Sequence, residues 1–345
     1  MAASVVDIDH AVDLRSPASG DTAASTTSID DLPADVLALV LRRLDGASLA
    51  ALGSASSAFH ALASDPATWR ALCLATWPSL HAHDAVDLLH HPRALFADAF
   101  PFPAASSSTP STPTSTCLPT RLVSAVDLHH GDLCIMSRVI ETDAASPWFL
   151  GSPFRIDALV QEGFTAPPPT STPTPTTTTS APPPLMMTPS DLSLSWILID
   201  PRTGRAVNAS TRRPVAVDRK WLTGDAVARF TLVLGGGDGG GIALDTCVTC
   251  DERYGHVREV TLCVEGADGG GVSGREGLAA VAAAMAGPRR LGEEEEEARR
   301  RYGEFVKGKR ARKEWKARRE GLLDLCCSGV GAAAFVSFLV MLMFR

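Results

Sequence analysis

Seven segments between Leu122 and Gly266 share one pattern: LVSAVDLHH (122–130), LCIMSRVIE (133–141), LSLSWILID (192–200), RPVAV (213–217), VARFTLVL (227–234), GIALDTCVTC (241–250) and HVREVTLCVEG (256–266). Each is short, rich in β-branched and aliphatic residues, and bounded by turn-forming residues such as Gly131-Asp132 or Pro201-Arg202-Thr203-Gly204. A run of this kind predicts a mainly antiparallel β domain, assigned to 120–287. Two tracts rich in Pro, Ser and Thr interrupt it or precede it: Pro101–Pro119, read as a linker (101–119), and Ala166–Pro184, read as a disordered insertion (166–190). Residues 1–28 are too polar to order themselves and are assigned to a disordered N-terminus, with no apolar run that would mark a secretory signal.

Before the strands the periodicity is helical. In SIDDLPADVLALVLRRLD (28–45), Pro33 suits a helix start, with Asp30 and Asp31 at the positive end of the dipole. Val36, Leu37, Val40, Leu41 and Leu44 then fall on one stripe. Leu49, Leu52, Phe59 and Leu62 continue the theme, and Asp65-Pro66 restarts a helix carrying Trp69, Leu72, Cys73 and Trp77. Three short helices bury too little surface to stand alone, so a partner surface is implied.

From Leu32-Pro33 through Leu37, Leu41, Leu44, Leu49, Leu52 and Ser64-Asp65-Pro66 to Trp69, Arg70 and Leu72-Cys73, the stretch resembles the F-box family. The resemblance implies a three-helix module, 29–100 with its helical extension, that docks on a Skp-type adaptor and through it on a cullin. Leu32, Pro33, Val36, Leu37, Val40, Leu41, Leu44, Leu49 and Leu52 are then the candidate adaptor-binding residues. Ser54-Ala55-Ser56 and Phe59 depart from the family pattern, standing where it tends to carry larger apolar, basic and tryptophan residues. Beyond this module, the order of elements resembles a small group of plant F-box proteins, in the stretch SAVDL…SRVIET…PWFLGSPFRIDAL…LSWILIDPRTGRAVNASTRRPV…KWLTGDAVARF…HVREVTL. Trp196, Asp200-Pro201-Arg202-Thr203-Gly204 and Trp221 are similar, more distantly, to the β-sandwich of phloem lectins.

Motifs of catalysis are absent from the sequence: it has no Ser/His/Asp arrangement, no GxSxG and no P-loop. Cys247-Val248-Thr249-Cys250, near His256 and Cys263, has half of a zinc-site spacing, but residues three apart on a strand point to opposite faces. GGGDGGG (235–241) matches GxGxxG formally, yet a strand follows it where a phosphate-cradling motif needs a helix. The expectation is no catalytic residue, no metal and no cofactor. A net charge of −7 argues against nucleic acid as a partner.

The C-terminal quarter is set apart by charge. A charged helix is assigned to 288–321, where Arg299–Arg319 holds eleven Lys/Arg against two Glu. A hydrophobic tail is assigned to 322–345; within it the twenty residues Leu325–Phe344 carry no charge and match the thickness of a bilayer's hydrocarbon. Basic residues before such a span fit a cytosolic flank, which makes a C-terminal membrane anchor the expectation. Adjacent Cys326 and Cys327 are candidate palmitate acceptors or simply lipid-facing. A helix folded back on the β domain, in a cytoplasmic or nuclear protein, is the competing reading.

The fold class expected is therefore α+β: a three-helix F-box, a mainly antiparallel β domain, a basic helix and a membrane-spanning hydrophobic helix. The function expected is the non-catalytic substrate-recognition subunit of a Skp–cullin–F-box ubiquitin ligase, binding an unknown protein target at the cytoplasmic face of a membrane. The alternative is a membrane-attached, lectin-like binding module whose F-box no longer recruits a ligase.

Overall fold

A computed structural model describes residues 33–82, 88–104, 118–160, 188–235, 241–251, 256–290, 292 and 295–345. Residues 1–28, most of the 101–119 linker and the Ala166–Pro184 tract lie outside the described residues.

Local chemistry sets the N-terminal helices. α1 (Ala34–Leu41) follows Pro33, whose carbonyl accepts from the Val36 and Leu37 amides at 3.0 and 3.1 Å. α2 (Gly46–Leu52) is capped by Asp45, which accepts from the Ser48 amide at 2.7 Å. α3 (Ser57–Ala63) is capped by Ser56. α4 (Pro66–Thr76) starts as the Asp65-Pro66 pair predicts, with Asp65 Oδ2 accepting from both the amide and the hydroxyl of Thr68. A 3₁₀ turn (Pro78–His81) and α5 (Pro92–Ala99) complete this layer. Phe96 on α5 ties it together, its ring 5.5 Å from those of both Trp69 and Trp77 and stacked on Phe100 at 4.7 Å. α2 approaches so closely that a Cβ on Gly46 would lie 2.1 Å from the Phe96 ring.

The β region is a sandwich. β1 (Phe102–Pro103) pairs with β12 (Arg289–Arg290) at its margin. The first sheet has the order β3 (Leu133–Asp143), β2 (Arg121–His130), β5 (Leu192–Asp200), β6 (Arg205–Asn208), all antiparallel. The expected turns join its hairpins. Gly131 adopts φ +58° between β2 and β3, and Asp200 accepts from the Arg202 amide and the Thr203 hydroxyl before Gly204 at φ +67°. The second sheet runs β4 (Arg155–Val160), β11 (His256–Gly266), β10 (Ile242–Asp251), β8 (Ala226–Arg229), β7 (Ala216–Arg219). β9 (Leu232–Leu234) continues along the same edge of β10 as β8.

The inner faces meet in one core. Leu122, Val126, Leu128, Leu194, Trp196 and Leu198 of the first sheet pack against Ile156, Phe230, Leu244, Val248, Val260 and Leu262. α6 (Pro147–Gly151) and α7 (Gly274–Ala286) close one side, Leu278, Val281 and Met285 joining that core. A capping box at Ser273 and Glu276 opens α7, and its first turn sits so tightly that a Cβ on Gly274 would lie 1.8 Å from the Phe149 carbonyl oxygen.

The outer face of the first sheet is apolar as well. Val123, Ala125, Ile197, Ile199 and Ala206 share a second core with Trp69, Trp77, Leu80, Leu95 and Phe96 of the helices. Polar bonds fix this seam. Asp127 accepts from the amide and hydroxyl of Ser79 at 2.8 and 2.7 Å and from the Ser137 hydroxyl at 2.7 Å. Trp77 donates its indole N–H to Ser195 Oγ at 2.9 Å, and Asp98 of α5 accepts from Arg205 Nε at 2.6 Å.

α8 (Glu295–Met343) is one unbroken helix of 49 residues. Its first half crosses the outer face of the second sheet, with Ala298 and Phe305 buried, Lys309 bonded to Glu265 at 2.7 Å and Arg312 Nε donating to the Ala267 carbonyl at 2.7 Å. Beyond Lys313 every described side chain is exposed. The fold is thus α+β, with N-terminal helices, a mostly antiparallel sandwich and a C-terminal apolar helix.

Burial pushes the Asp127 carboxyl above the ordinary carboxylate range, against the opposing hydrogen bonds from Ser79 and Ser137. A raised folded-state pKa makes the folded chain the better proton binder. Its stabilising contribution is full below the unfolded value of about 3.9 and is lost as pH rises through the folded value. Denaturant unfolding is expected to show Asp127→Ala losing about 2 kcal/mol or more at neutral pH, because the Ser79 amide is left buried and unpaired. Wild type is expected to gain stability relative to Asp127→Asn as the pH is lowered; a difference that stays flat with pH would contradict the raised pKa.

Candidate adaptor-docking surface

α1 is apolar on two sides, and the two sides meet different fates. Leu37 and Leu41, four residues apart, are 8% and 3% exposed, and Leu41 belongs to the core that continues onto the first sheet. Val36, Leu39 and Val40 are 43%, 62% and 48% exposed. With exposed Pro33 they form a stripe at i, i+3, i+6 and i+7 spacing that no described residue covers.

The predicted adaptor residues therefore divide. Pro33, Val36 and Val40 lie on the open stripe. Leu37, Leu41 and Leu49 are buried within the protein's own helices, and Leu44 and Leu52 are partly buried against that core. Leu32 lies outside the described residues. A single stripe of Val36, Leu37, Val40, Leu41 and Leu44 is thus corrected to two neighbouring ones, an inner stripe that holds the bundle and an outer one open to solvent. Leu39 is the residue that sequence reasoning missed. The signal was present, since a helix carrying Leu at 37, 39 and 41 cannot bury all three on one face.

The departures from the family pattern also find places. Phe59 is 6% exposed, facing inward, while Ser54 and Ala55 are exposed in the turn between α2 and α3. Ser54 Oγ donates to the Ala51 carbonyl at 2.6 Å and Ser56 caps α3, so these small residues build the turn.

A model of F-box-like domains matches residues 29–75. Three proteins of Arabidopsis thaliana match across most of the chain. One, named a probable F-box protein, is 37% identical over 96% of this chain and 97% of its own length. Two others, named F-box proteins, are 34% identical over 90% of this chain and 94% of their own, and 36% identical over 84% and 83%. The chain belongs to the F-box family. The matches to these plant F-box proteins run through the sandwich and into α8, so the likeness extends well beyond the F-box helices. No solved structure matches the chain.

Elsewhere the F-box protein shows packing where the sequence hinted at chemistry. Cys250 lies in the sandwich core, its thiol pushed up to about 11 by burial. Cys247 faces the opposite side of β10, beside Asp245 and Arg229, its thiol also raised by burial. The strands β9 and β10 that flank the glycine cluster pair antiparallel; residues 236–240 of that cluster lie outside the described residues. Among the described residues no group of three or more His, Cys, Asp or Glu is placed to hold a metal.

The two stripes of α1 separate experimentally by stability alone. Leu41→Ala is expected to cost about 2–5 kcal/mol, the range for a buried leucine that leaves a cavity. Val36→Ser with Leu39→Ser is expected to change stability by less than about 1 kcal/mol, as exposed positions do. Equal losses in the two variants would show that the outer stripe is covered within the chain.

Proposed function

We propose that this F-box protein is the target-recruiting, non-catalytic subunit of a Skp–cullin–F-box ubiquitin ligase. One observation carries the reading: a helix at the head of the F-box match buries Leu37 and Leu41 inward and leaves Pro33, Val36, Leu39 and Val40 as an apolar surface that no described residue covers. An exposed apolar stripe of this kind fits a protein partner, and the F-box implies that the partner is a Skp-type adaptor joined to a cullin. In this division of labour residues 29–100 recruit the ligase and the sandwich within 120–287 holds a protein target. Helices and sandwich share a core, so a target on the sandwich is held at a fixed position relative to the adaptor.

The apolar half of α8 supports a membrane location for this assembly. It is long and apolar enough to cross a bilayer, and its described side chains are all exposed. The exposed basic residues Lys313, Lys316, Arg318 and Arg319 precede it, on the side expected to stay cytosolic.

Val36→Asp with Leu39→Asp is expected to abolish co-purification of the Skp-type adaptor from cells while leaving the thermal midpoint near that of wild type, since truncating an interface anchor typically costs about 2 kcal/mol or more. Adaptor recovery at the wild-type level would sink the assignment. In a carbonate wash of membranes the intact chain is expected in the pellet. Phe335→Arg with Phe338→Arg should shift it to the supernatant, because each charge at the centre of a span costs about 2.5–3.5 kcal/mol on insertion scales. Intact chain found wholly in the supernatant would remove the membrane from the proposal.

A further inference from the structure

The helices cover the first sheet's outer face incompletely. They bury the apolar end, Val123, Ala125, Ile197 and Ile199, and stop short of the cross-strand pair His129 and Ser193. Where the cover ends, a cleft of about 190 Å³ opens between the two layers. Thr76, Trp77 and Phe100 line it from the helical side; His129, Ser193, Ser195, Asn208 and Arg212 line it from the sandwich. None of its lining residues is acidic.

Arg212 is the cation of this cleft. Its guanidinium carbon lies 4.6 Å from the centre of the Phe100 ring, which is itself stacked on Phe96, so the side chain is held on an aromatic platform. Its neighbour Arg213 pairs with Glu295 and donates to the Asp191 carbonyl; Arg212 has no ion pair or side-chain hydrogen bond among the described residues. The side chain stays solvent-accessible, yet the surrounding protein desolvates it enough to lower its pKa. An accessible guanidinium held on an aromatic ring with no carboxylate partner among the described residues is open to an anion.

Hydroxyl donors stand beside it. Ser195 Oγ accepts the Trp77 indole N–H at 2.9 Å, so its own proton is directed elsewhere and meets no acceptor among the described residues. The Ser193 hydroxyl and the His129 ring likewise make no hydrogen bond to a described residue. The nearest carboxylate to these donors on the sheet, Asp127, is cross-strand from Ser195 and interacts electrostatically with His129, but it is buried and engaged by Ser79 and Ser137. A planar fork of donors, two hydroxyl donors and an imidazole, with no carboxylate in the lining itself, suit an oxyanion with several acceptor oxygens.

We propose that this cleft is a binding site for a phosphate-class oxyanion, free or as a phosphate monoester, with Arg212 as its principal ligand and Ser193, Ser195 and His129 as supporting donors. The site is distinct from the adaptor surface on α1 and does not depend on the ligase reading. A bound anion would touch both layers at their seam.

The test is calorimetric titration of the full chain in neutral detergent micelles with inorganic phosphate and, separately, O-phosphoserine, against sodium chloride at equal ionic strength. Saturable binding of either phosphate species is expected, weakened about tenfold to a hundredfold in Arg212→Gln, the loss typical of a hydrogen bond to a charged group. Ser193→Ala with Ser195→Ala should weaken it less, Arg212→Lys should retain part of it, and Arg213→Gln should leave it unchanged. Preference between inorganic phosphate and phosphoserine distinguishes a free anion from a monoester. Absence of saturable binding to either, or equal binding by Arg212→Gln, overturns the proposal. Should Arg212→Gln fold poorly through loss of its stacking on Phe100, the serine pair and Arg212→Lys decide, and unchanged affinity in both overturns it.

Discussion

The central strands β2 and β5 are buried on both faces, and most of the architecture follows from that. A strand pair of this kind needs two covers, because each face exposes an apolar row if left open. The second sheet supplies one cover and the helical layer the other. The F-box helices are consequently not a bead on a string. Trp77, Leu80 and Phe96 are as much a part of the β region's core as of their own bundle, and Asp127 is buried because the layer closes over it. The polar bonds at the seam give the packing a single register, since apolar contact alone is non-directional.

The elements legible in the sequence are those governed by local rules. The β2–β3 hairpin, the Asp200–Gly204 turn and the Asp65-Pro66 helix start all depend on residues within a few positions of one another. The opposite-face placement of Cys247 and Cys250 follows from the pleat in the same way. What was not legible depends on distant partners. The run LVSAVDL hints at two-sided burial, but nothing in it names the helices as the second cover. The division of α1 into inner and outer stripes needs α3 in place before Leu37 and Leu39 have different neighbours. Arg212 gave no signal at all, because its character comes from what surrounds it, the Phe100 ring and a cleft lining without a carboxylate among the described residues.

Charge tells a similar story in α8. Composition alone casts Arg299–Arg319 as a uniformly solvated basic stretch, yet Ala298, Phe305, Lys309 and Arg312 fall on one face and settle onto the second sheet. The glutamates before it make short-range pairs, such as Glu297 with Arg300 at 2.8 Å and Arg301 at 2.7 Å, that favour the helix at its positive end. Two apolar side chains among many charges were enough to dock the segment, and a net-charge count averages them away.

Because α8 is continuous from its docked half to its apolar half, the stretch between Arg312 and Leu325 transmits rotation as well as distance. An α-helix turns about 100° and advances about 1.5 Å for each residue. The number of residues in that stretch, whatever their identity, sets which flank of the sandwich lines up with a given face of the apolar half. Sequence there stores an angle: a one-residue insertion would preserve every contact at both ends and still swing the sandwich through more than a quarter turn.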